Sequence, residues 1–549
     1  MSKSLNNRKS NQFIVQGGIL AAVGILVRII GMFKRIPLTN IIGDRGNGLY
    51  AAAYEIYSIV LLISSYSLPL AISKMVSARL ATKQYINIDK VFKIAICFAI
   101  ISGGAAAFVV YFAADLLAGM MLEPMSALAL RVLAPTLLVV AVMGVIRGYF
   151  QGLGTMIPTA ISQLVEQIFV VSGSLIGALA LFKYGEKVGD LLNEENYSAA
   201  YGAAGGSIGP LVGSIAGLSF LVFICVIFRN HQLKKIRADR ISKDETLGKI
   251  IVMMVMIIIP VILSTVIYNI TNIIDQRIYN QVMIDKGFES IKTIHWGIYT
   301  GKYNVLKNIP LAIASALCAS TVPAISKGIA RGNIEDVLHK IKNVIKSTMF
   351  ISIPCASAFI VLSRDIMSLL FNDSSDMPAW MLSIGAISVV FYSLSTLTNG
   401  ILQGVNKVFT PVINAVISLV IHLAVLYPLL QFTDAGVYSV VIANIVFGLS
   451  MCILNSFALR RSIEYKQEFK KTLLLPTAGA TVMGIVLFML KSIINMLAFE
   501  GKLAQVIIFI ILVLIGCIVY FATLLMLRGV DEDMLLIIPG GKYLLRFYR

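Results

Sequence analysis

The chain has 549 residues, 58% of them hydrophobic and only 13% charged, with a mean hydropathy of +0.86 and a formal net charge of +18. A soluble globule of this length could not cover so much apolar surface, which excludes the soluble enzyme and binding-protein classes. The excess positive charge suggests nucleic acid at first sight, but its placement in alternate loops between apolar runs argues for membrane topology and against a nucleic-acid partner.

Apolar runs of about 20 residues, each long enough to cross ~30 Å of hydrocarbon, follow one another almost to the end. Fourteen are read, centred near Ala22, Val60, Gly103, Val139, Ser172, Ile215, Ile259, Ala314, Ile353, Ser388, Leu419, Ile445, Gly484 and Leu512. The first, from Phe13, runs long, contains Arg28 and closes on no small-residue cleavage site, so it is expected to be a retained helix rather than a signal peptide. The expected fold class is therefore an all-α integral membrane protein with fourteen transmembrane helices.

Two phrases occur twice at a common offset of about 253 residues. Ala71-Ile72-Ser73-Lys74 after Pro69 returns as Ala324-Ile325-Ser326-Lys327 after Pro323. Gly148-x-x-Gln151-Gly152 returns as Gly400-x-x-Gln403-Gly404, with Pro158 and Pro411 following. A duplicated bundle accounts for both. The expected organisation is a first six-helix lobe over 1–230, a basic linker over 231–248, a second lobe over 249–460, and two further helices with a tail over 461–549. An even number of spans per lobe gives both copies one orientation, with a pseudo-twofold axis along the membrane normal and a cavity between the halves. The prolines are expected to end or kink a helix and the glycines to allow close helix approach. Gln151 and Gln403 read first as polar ties at a helix corner, with a substrate role as the alternative.

The loops alternate in charge. Lys74, Arg79, Lys83, Lys90 and Lys93 form one basic set, Arg229 to Lys249 another, Lys327 to Lys346 a third, and Arg460 to Lys471 a fourth. Between them lie acidic sets: Asp115 and Glu123; Asp190, Glu194 and Glu195; Asp365, Asp373 and Asp376; Asp434. The positive-inside rule then puts both termini and the linker in the cytoplasm, as expected of a multi-pass membrane protein with an even number of spans. The six cysteines lie singly in apolar runs, and no Cys/His cluster or metal set is expected.

Charges inside the spans point to function, because a charged side chain at mid-membrane costs at least ~2.5–3.5 kcal/mol. Arg28 sits well inside the first run, with Lys34 and Arg35 at its end. Arg28 and Arg35 are seven apart and share a helix face, and Lys34 and Arg35 could equally be interfacial anchors. Asp275 in the seventh span and Lys302 and Lys307 at the start of the eighth add polarity to the second half. Glu55 and Glu166 are enclosed by apolar sequence. Each is either the partner of an intramembrane cation or, with Asp275, a site for H+ or Na+ coupling. His422 stands alone on an apolar helix and reads as a core histidine. More fixed positive than negative charge favours an anionic substrate, and the guanidinium fork suits phosphate oxygens. With no GxxxxGK[ST] sequence, ATP is not hydrolysed here.

At Gly48-Leu-Tyr50, Tyr54-Glu55-Ile-Tyr57-Ser58, Pro69-Leu-Ala-Ile-Ser73-Lys74, Arg147-Gly-Tyr-Phe-Gln-Gly152, Ile161-Ser-Gln-Leu-Val-Glu166-Gln167, Asn308-Ile-Pro310 and Val322-Pro-Ala-Ile-Ser-Lys327, the chain resembles the multidrug/oligosaccharidyl-lipid/polysaccharide (MOP) exporter superfamily. Within it the resemblance is to the branch of MurJ-like lipid II flippases, stage V sporulation protein B and polysaccharide biosynthesis proteins, over roughly residues 10–460. The resemblance implies two six-helix lobes around a V-shaped cavity plus two extra helices. It implies a substrate-binding role for Arg28 and for Lys34 or Arg35 on the first helix. Where better-studied members carry an Asp-Arg pair at the start of the eighth helix, this chain has Lys302 and Lys307, one or the other of which would bind the substrate's diphosphate in the second half. By position only, the last two helices would form a groove for a lipid tail.

The expected function is a flippase, not an enzyme, moving a lipid-linked anionic glycan, foremost lipid II, by alternating access. Its expected partners are that substrate and membrane lipids. It would act as a monomer with no cofactor, biased by membrane potential, H+ or Na+. A flippase for a capsule or teichoic-acid unit, or a drug/cation antiporter of the same fold, are the alternatives. A membrane glycan ligase would need paired acids or histidines on a large outer loop, and only the Asp285–His295 stretch is long enough; it holds no such pair.

Overall fold

Apolar runs with no water to satisfy their backbone must close their hydrogen bonds internally, and this chain does so with helices throughout. The computed structural model describes residues 2–242, 245–496 and 501–529; Lys243 of the linker and the expected cytoplasmic tail lie outside them. No strand occurs among the described residues. In chain order the α-helices are α1 (Ser2–Leu61), α2 (Leu68–Ala81), α3 (Tyr85–Phe112), α4 (Ala114–Met120), α5 (Ala127–Gly152), α6 (Ile157–Leu192), α7 (Asn196–Arg237), α8 (Leu247–Asp285) and α9 (Glu289–Ile298). Then follow α10 (Asn304–Ala330), α11 (Ile334–Val361), α12 (Ser363–Phe371), α13 (Asp376–Gly404), α14 (Phe409–Phe432), α15 (Val437–Ile463), α16 (Leu475–Met496) and α17 (Lys502–Met526).

Twelve helical stretches among the described residues are long and apolar enough to cross a membrane, and one of them runs from Ala22 to Ala81. That stretch is two crossings, not one. Gly43 has φ 68° and ψ 178°, a conformation that breaks the helix and that glycine alone adopts at no steric cost. Thr39 Oγ1 lies 3.4 Å from Asn47 Oδ1, and the Arg35 guanidinium lies 4.8 Å from the Tyr50 ring centre. In a straight helix Arg35 and Tyr50 would stand ~22 Å apart. The chain therefore reverses at Gly43, and α1 is a hairpin of two arms. With α8, whose apolar stretch Leu247–Ile259 opens a 39-residue helix, there is room for the fourteen crossings expected from sequence.

The described chain forms two compact units, Met1–Gly301 and Lys302–Arg549. The sequence repeat divides at the linker, whereas α8 and α9 pack into the first unit, because α9 lies along α1 and α8 lies against α2, α3 and α9. A side chain at Gly297 of α9 would place its Cβ 1.7 Å from the Asp44 carbonyl oxygen, so the two backbones touch there. Elsewhere in the first unit, α6 and α7 form the most extensive pair and α5 packs on α2, α3 and α7. In the second unit α13 is central, in contact with α10, α11 and α15, while α16 pairs with α17 and leans on α11.

The two repeated phrases turn out to be one helix crossing used twice. In the first unit, a Cβ at Gly148 would meet the Pro69 carbonyl at 2.5 Å, and one at Gly152 would meet Val76 Cβ at 2.6 Å. In the second, a Cβ at Gly400 would overlap Cys318 Sγ, one at Gly404 would meet Ile325 Cγ2 at 3.2 Å, and Ser326 Oγ donates to the Gly404 carbonyl at 3.0 Å. A proline-bearing helix thus lies against a glycine-bearing helix in each unit, which explains why both phrases keep a common offset.

Candidate functional site

The first arm of α1 carries Arg28 and Arg35 two turns apart, on one face. Arg28 is exposed and has neither a hydrogen bond nor an ion pair among the described residues. Arg35 lies over Tyr50 at 4.8 Å and Tyr54 at 5.7 Å, whose rings stack 5.7 Å apart. Such cation–π contacts hold the guanidinium without consuming its donors, and Arg35 Nη1 is buried with no hydrogen-bond partner. The reversal at Gly43 is what brings these tyrosines under Arg35.

Lys34, one residue away, points elsewhere, since neighbouring helical residues are ~100° apart. It is 8% exposed and its Nζ donates to Ser174 Oγ of α6 at 3.3 Å, while Ser174 donates to the Gly206 carbonyl of α7 at 2.9 Å. The structure does not bring Lys34 together with Arg28 and Arg35.

The carboxylates separate in the same way. Glu55, on the second arm of α1, accepts from Asn272 Nδ2 of α8 at 3.3 Å. It lies in the electrostatic field of Arg35 and Asp275. Asp275 is 1% exposed. Arg35, Tyr54, Glu55, Asn272 and Asp275 therefore form one polar cluster within the first unit. Glu166 instead pairs with Arg147 at 2.8 Å, and Arg147 Nε donates to Ser162 Oγ at 3.0 Å. The intramembrane cation that partners Glu166 is Arg147, not Arg28. Sequence reasoning quoted Arg147 within its motif without reading it; a cation next to a repeated glycine phrase was the available signal.

In the second unit Lys302 is 4% exposed and its Nζ lies 2.5 Å from Asp373 Oδ2. Burial alone would raise the Asp373 carboxyl, but hydrogen bonds from Lys302 and Ser375 hold it below the usual carboxylate range. The pair's stabilisation is therefore present above pH ~4 and is lost as pH falls through the folded value. Lys307 is 8% exposed and lies 5.3 Å from the Tyr303 ring and 5.0 Å from that of Tyr392. His422 is fully buried, edge-on to Phe447 at 6.0 Å, as a core histidine would be.

A second buried polar cluster escaped the sequence reading. Glu123, between α4 and α5, accepts from Lys292 Nζ at 2.8 Å and from Thr293 Oγ1 at 2.8 Å, both on α9. Asn280 Nδ2 of α8 donates to the Met121 carbonyl at 2.7 Å beside it. Burial pushes the Glu123 carboxyl up, and Lys292 and Thr293 partly offset that. Nearby, Arg45 donates to the Ser290 carbonyl at 2.9 Å and to Asn196 Oδ1. These contacts clamp α9 to the first unit. No group of three or more His, Cys, Asp or Glu that could hold a metal occurs among the described residues.

Comparison with known proteins fits this architecture. The family model described as polysaccharide biosynthesis protein matches residues 15–329, and the one described as MatE matches residues 303–427. Lipid II flippase MurJ of Bacillus subtilis (strain 168) is 25% identical over 529 residues, covering 92% of this chain and 94% of the relative. Stage V sporulation protein B of the same organism is 22% identical over 525 residues, covering 95% and 96%. Among solved structures, lipid II flippase MurJ in an inward closed conformation matches with a TM-score of 0.65 at 14% identity, over 92% of this chain and 97% of that one. An inward-facing multidrug resistance MATE family transporter matches with a TM-score of 0.61 at 16% identity, over 84% and 99%. At those identities the structural matches speak for the fold alone. With a family match over more than half its length and this helical architecture, the chain belongs to the polysaccharide biosynthesis protein family of the MOP superfamily, as a multi-pass membrane protein.

Proposed function

We propose that the protein translocates a polyprenyl-diphosphate-linked sugar, foremost the peptidoglycan precursor lipid II, across a bacterial cytoplasmic membrane by alternating access. The carrying observation is the state of the two arginines on the first arm of α1. Arg28 is exposed within a spanning segment and unpaired among the described residues, and Arg35 keeps a buried donor unused. A guanidinium against hydrocarbon is costly, so a wet polar space and an anionic ligand are its natural surroundings. Two guanidinium groups on one face suit the oxygens of a diphosphate. Lys34 is committed to Ser174 and Lys302 to Asp373, so Arg28 and Arg35 take the principal role. A drug/cation antiporter would need an anionic surface where these arginines stand. The relative named as a lipid II flippase supports the substrate class.

The test is rescue of cells depleted of their own lipid II flippase, read as growth and as surface exposure of the lipid II headgroup. Failure to rescue, with restored export of a capsule or teichoic-acid unit in a strain lacking that flippase, would transfer the function to a sibling glycan.

Sidedness follows from the alternating loop charge. Cysteines placed at Arg229 and Arg237 are expected to be labelled only from the cytoplasm, and one at Asn193 only from outside. α7 spans 42 residues, ~63 Å, between them. Labelling of both loops from one side would sink the duplicated-lobe topology.

Coupling is expected to reside at Glu55 and Asp275 rather than at Glu166. Glu55→Gln and Asp275→Asn should slow transport and change its dependence on pH or Na+. Glu166→Gln leaves Arg147 without its counter-charge, so it should lower the amount of folded protein while the remaining molecules keep the wild-type ion dependence. Unchanged ion dependence in both Glu55→Gln and Asp275→Asn would leave membrane potential as the driving force.

A further inference from the structure

At the basic end of the first unit a groove of about 550 Å³ runs between α2 and α8. Its walls are Met75 of α2 and Val252, Met253 and Met256 of α8, and Lys74 and Lys249 stand at its rim. We propose that this groove holds one anionic diacyl phospholipid of the surrounding bilayer, its phosphate between Lys74 and Lys249 and the upper part of its chains along the methionine and valine wall.

The groove is built into the fold. Arg79, 5% exposed, closes one end: its Nη1 donates to the Met75 carbonyl at 2.9 Å and its Nε to Glu245 Oε2 at 3.2 Å. Asp239 accepts from the Ile86 amide at 2.9 Å and from Ser242 Oγ at 2.6 Å, which ties the linker to the start of α3. The linker is thus fastened to α2 and to α3 before α8 begins, and the spacing of α2 from α8 is set without an occupant. Since Glu245 neutralises Arg79, the charge left to the groove is that of Lys74 and Lys249. Both are exposed, and neither pairs with a carboxylate among the described residues.

An apolar floor with two ammonium groups at its rim is complementary to an amphiphilic anion. Lysines at helix ends reach the headgroup level, and basic clusters there attract anionic lipids. The chemistry selects a bilayer phospholipid over the transported substrate. The unpaired charges at the rim are ammonium point charges, since Glu245 and the Met75 carbonyl take up the Arg79 guanidinium; the walls offer no hydroxyl or amide side chains to a sugar, and the volume suits a small phosphate headgroup with the first carbons of two chains.

The experiment measures lipid retention by the purified full-length protein, using phosphatidylglycerol as probe and phosphatidylcholine as control, read by native mass spectrometry. Wild type is expected to retain one phosphatidylglycerol in preference to phosphatidylcholine. The double variant Lys74→Ala/Lys249→Ala should weaken that retention about 30-fold, and Val252→Trp, which fills the groove, should abolish it. Lys234→Ala, outside the groove, should change nothing. Both lysines are exposed, so the double variant decides the matter even if the tryptophan variant does not fold. Equal retention in the double variant overturns the proposal. So does displacement of phosphatidylglycerol by undecaprenyl diphosphate whose own binding is lost in the double variant, since the groove would then belong to the substrate's path. Retention is measured without transport, so it stands or falls separately from the flippase reading.

Discussion

Arg28→Ala is expected to abolish appearance of the lipid-linked headgroup at the cell surface while the protein still inserts and folds. Among the described residues Arg28 makes no hydrogen bond or ion pair that its loss would break, and removing a charge from a spanning segment eases insertion. On the proposed function, what is lost is a contact to the ligand. Truncating one member of a desolvated charge pair costs about 2–5 kcal/mol, roughly 30-fold or more in binding. Arg28→Lys should recover only part of the activity, because an ammonium keeps the charge and loses the bidentate fork. Arg28→Glu should be inactive, since it repels a diphosphate at close range. The readout is headgroup exposure normalised to protein in the membrane. Full activity in Arg28→Ala would remove the anion cradle and leave this arginine as an anchor at the membrane surface.

The largest stability effect is expected at Lys292, whose side chain and that of Glu123 are each 5% exposed. Breaking a buried pair from one side leaves an uncompensated charge and costs about 3–5 kcal/mol. Lys292→Met should therefore lower the melting temperature of the detergent-solubilised protein, with a definite dependence on pH. Burial already raises the folded carboxyl of Glu123, and without Lys292 it rises further. A group whose folded pKa is raised contributes stability that is fully present below its unfolded value and lost as pH rises through the folded value. The gap between Lys292→Met and wild type should be small near pH 4.5, where the carboxyl can take up a proton, and widest near pH 8. Adding Glu123→Gln should restore part of the loss at pH 8, because the buried charge is gone and Thr293 can still donate to the amide oxygen. A gap that does not change with pH would mean that Lys292 acts through the length of its side chain alone.

The features legible in the sequence were those written locally. Hydropathy marks the spans, and it separates the runs around Ala22 and Val60, between which the chain reverses at Gly43. The repeated proline and glycine phrases mark a shared structural corner, and the glycines leave open a close helix approach or a tight turn, of which the structure shows the former. Arg28 and Arg35 share a face because seven residues are two turns, and the same geometry turns Lys34 away from Arg35. The illegible features were pairings across distance. Lys302 and Asp373 are 71 positions apart, and Glu123 and Lys292 are 169 apart. Asp373 and Glu123 read as ordinary acidic-loop charges and Lys302 as a cation toward the substrate until the fold closes, because nothing in local spacing encodes a partner on another helix. The boundary between the compact units was hidden for a related reason: the repeated phrases place it at the linker, whereas contact assigns α8 and α9 to the first unit.

The duplicated helix crossing also bears on how the two halves can change over evolutionary time. In the first copy, Gly148 faces the Pro69 carbonyl and Cα, which are main-chain atoms that no substitution can remove. In the second, Gly400 faces the sulfur of Cys318 and Gly404 faces Ile325 Cγ2, and these are side chains that can shrink. A larger residue at position 400 therefore meets side chains, those of Cys318 and Val322, which can shrink across the crossing, and one at position 148 meets main chain that cannot. The two crossings thus differ in mutational freedom: the second can drift by compensating exchange of side chains, while the first is held by its own backbone.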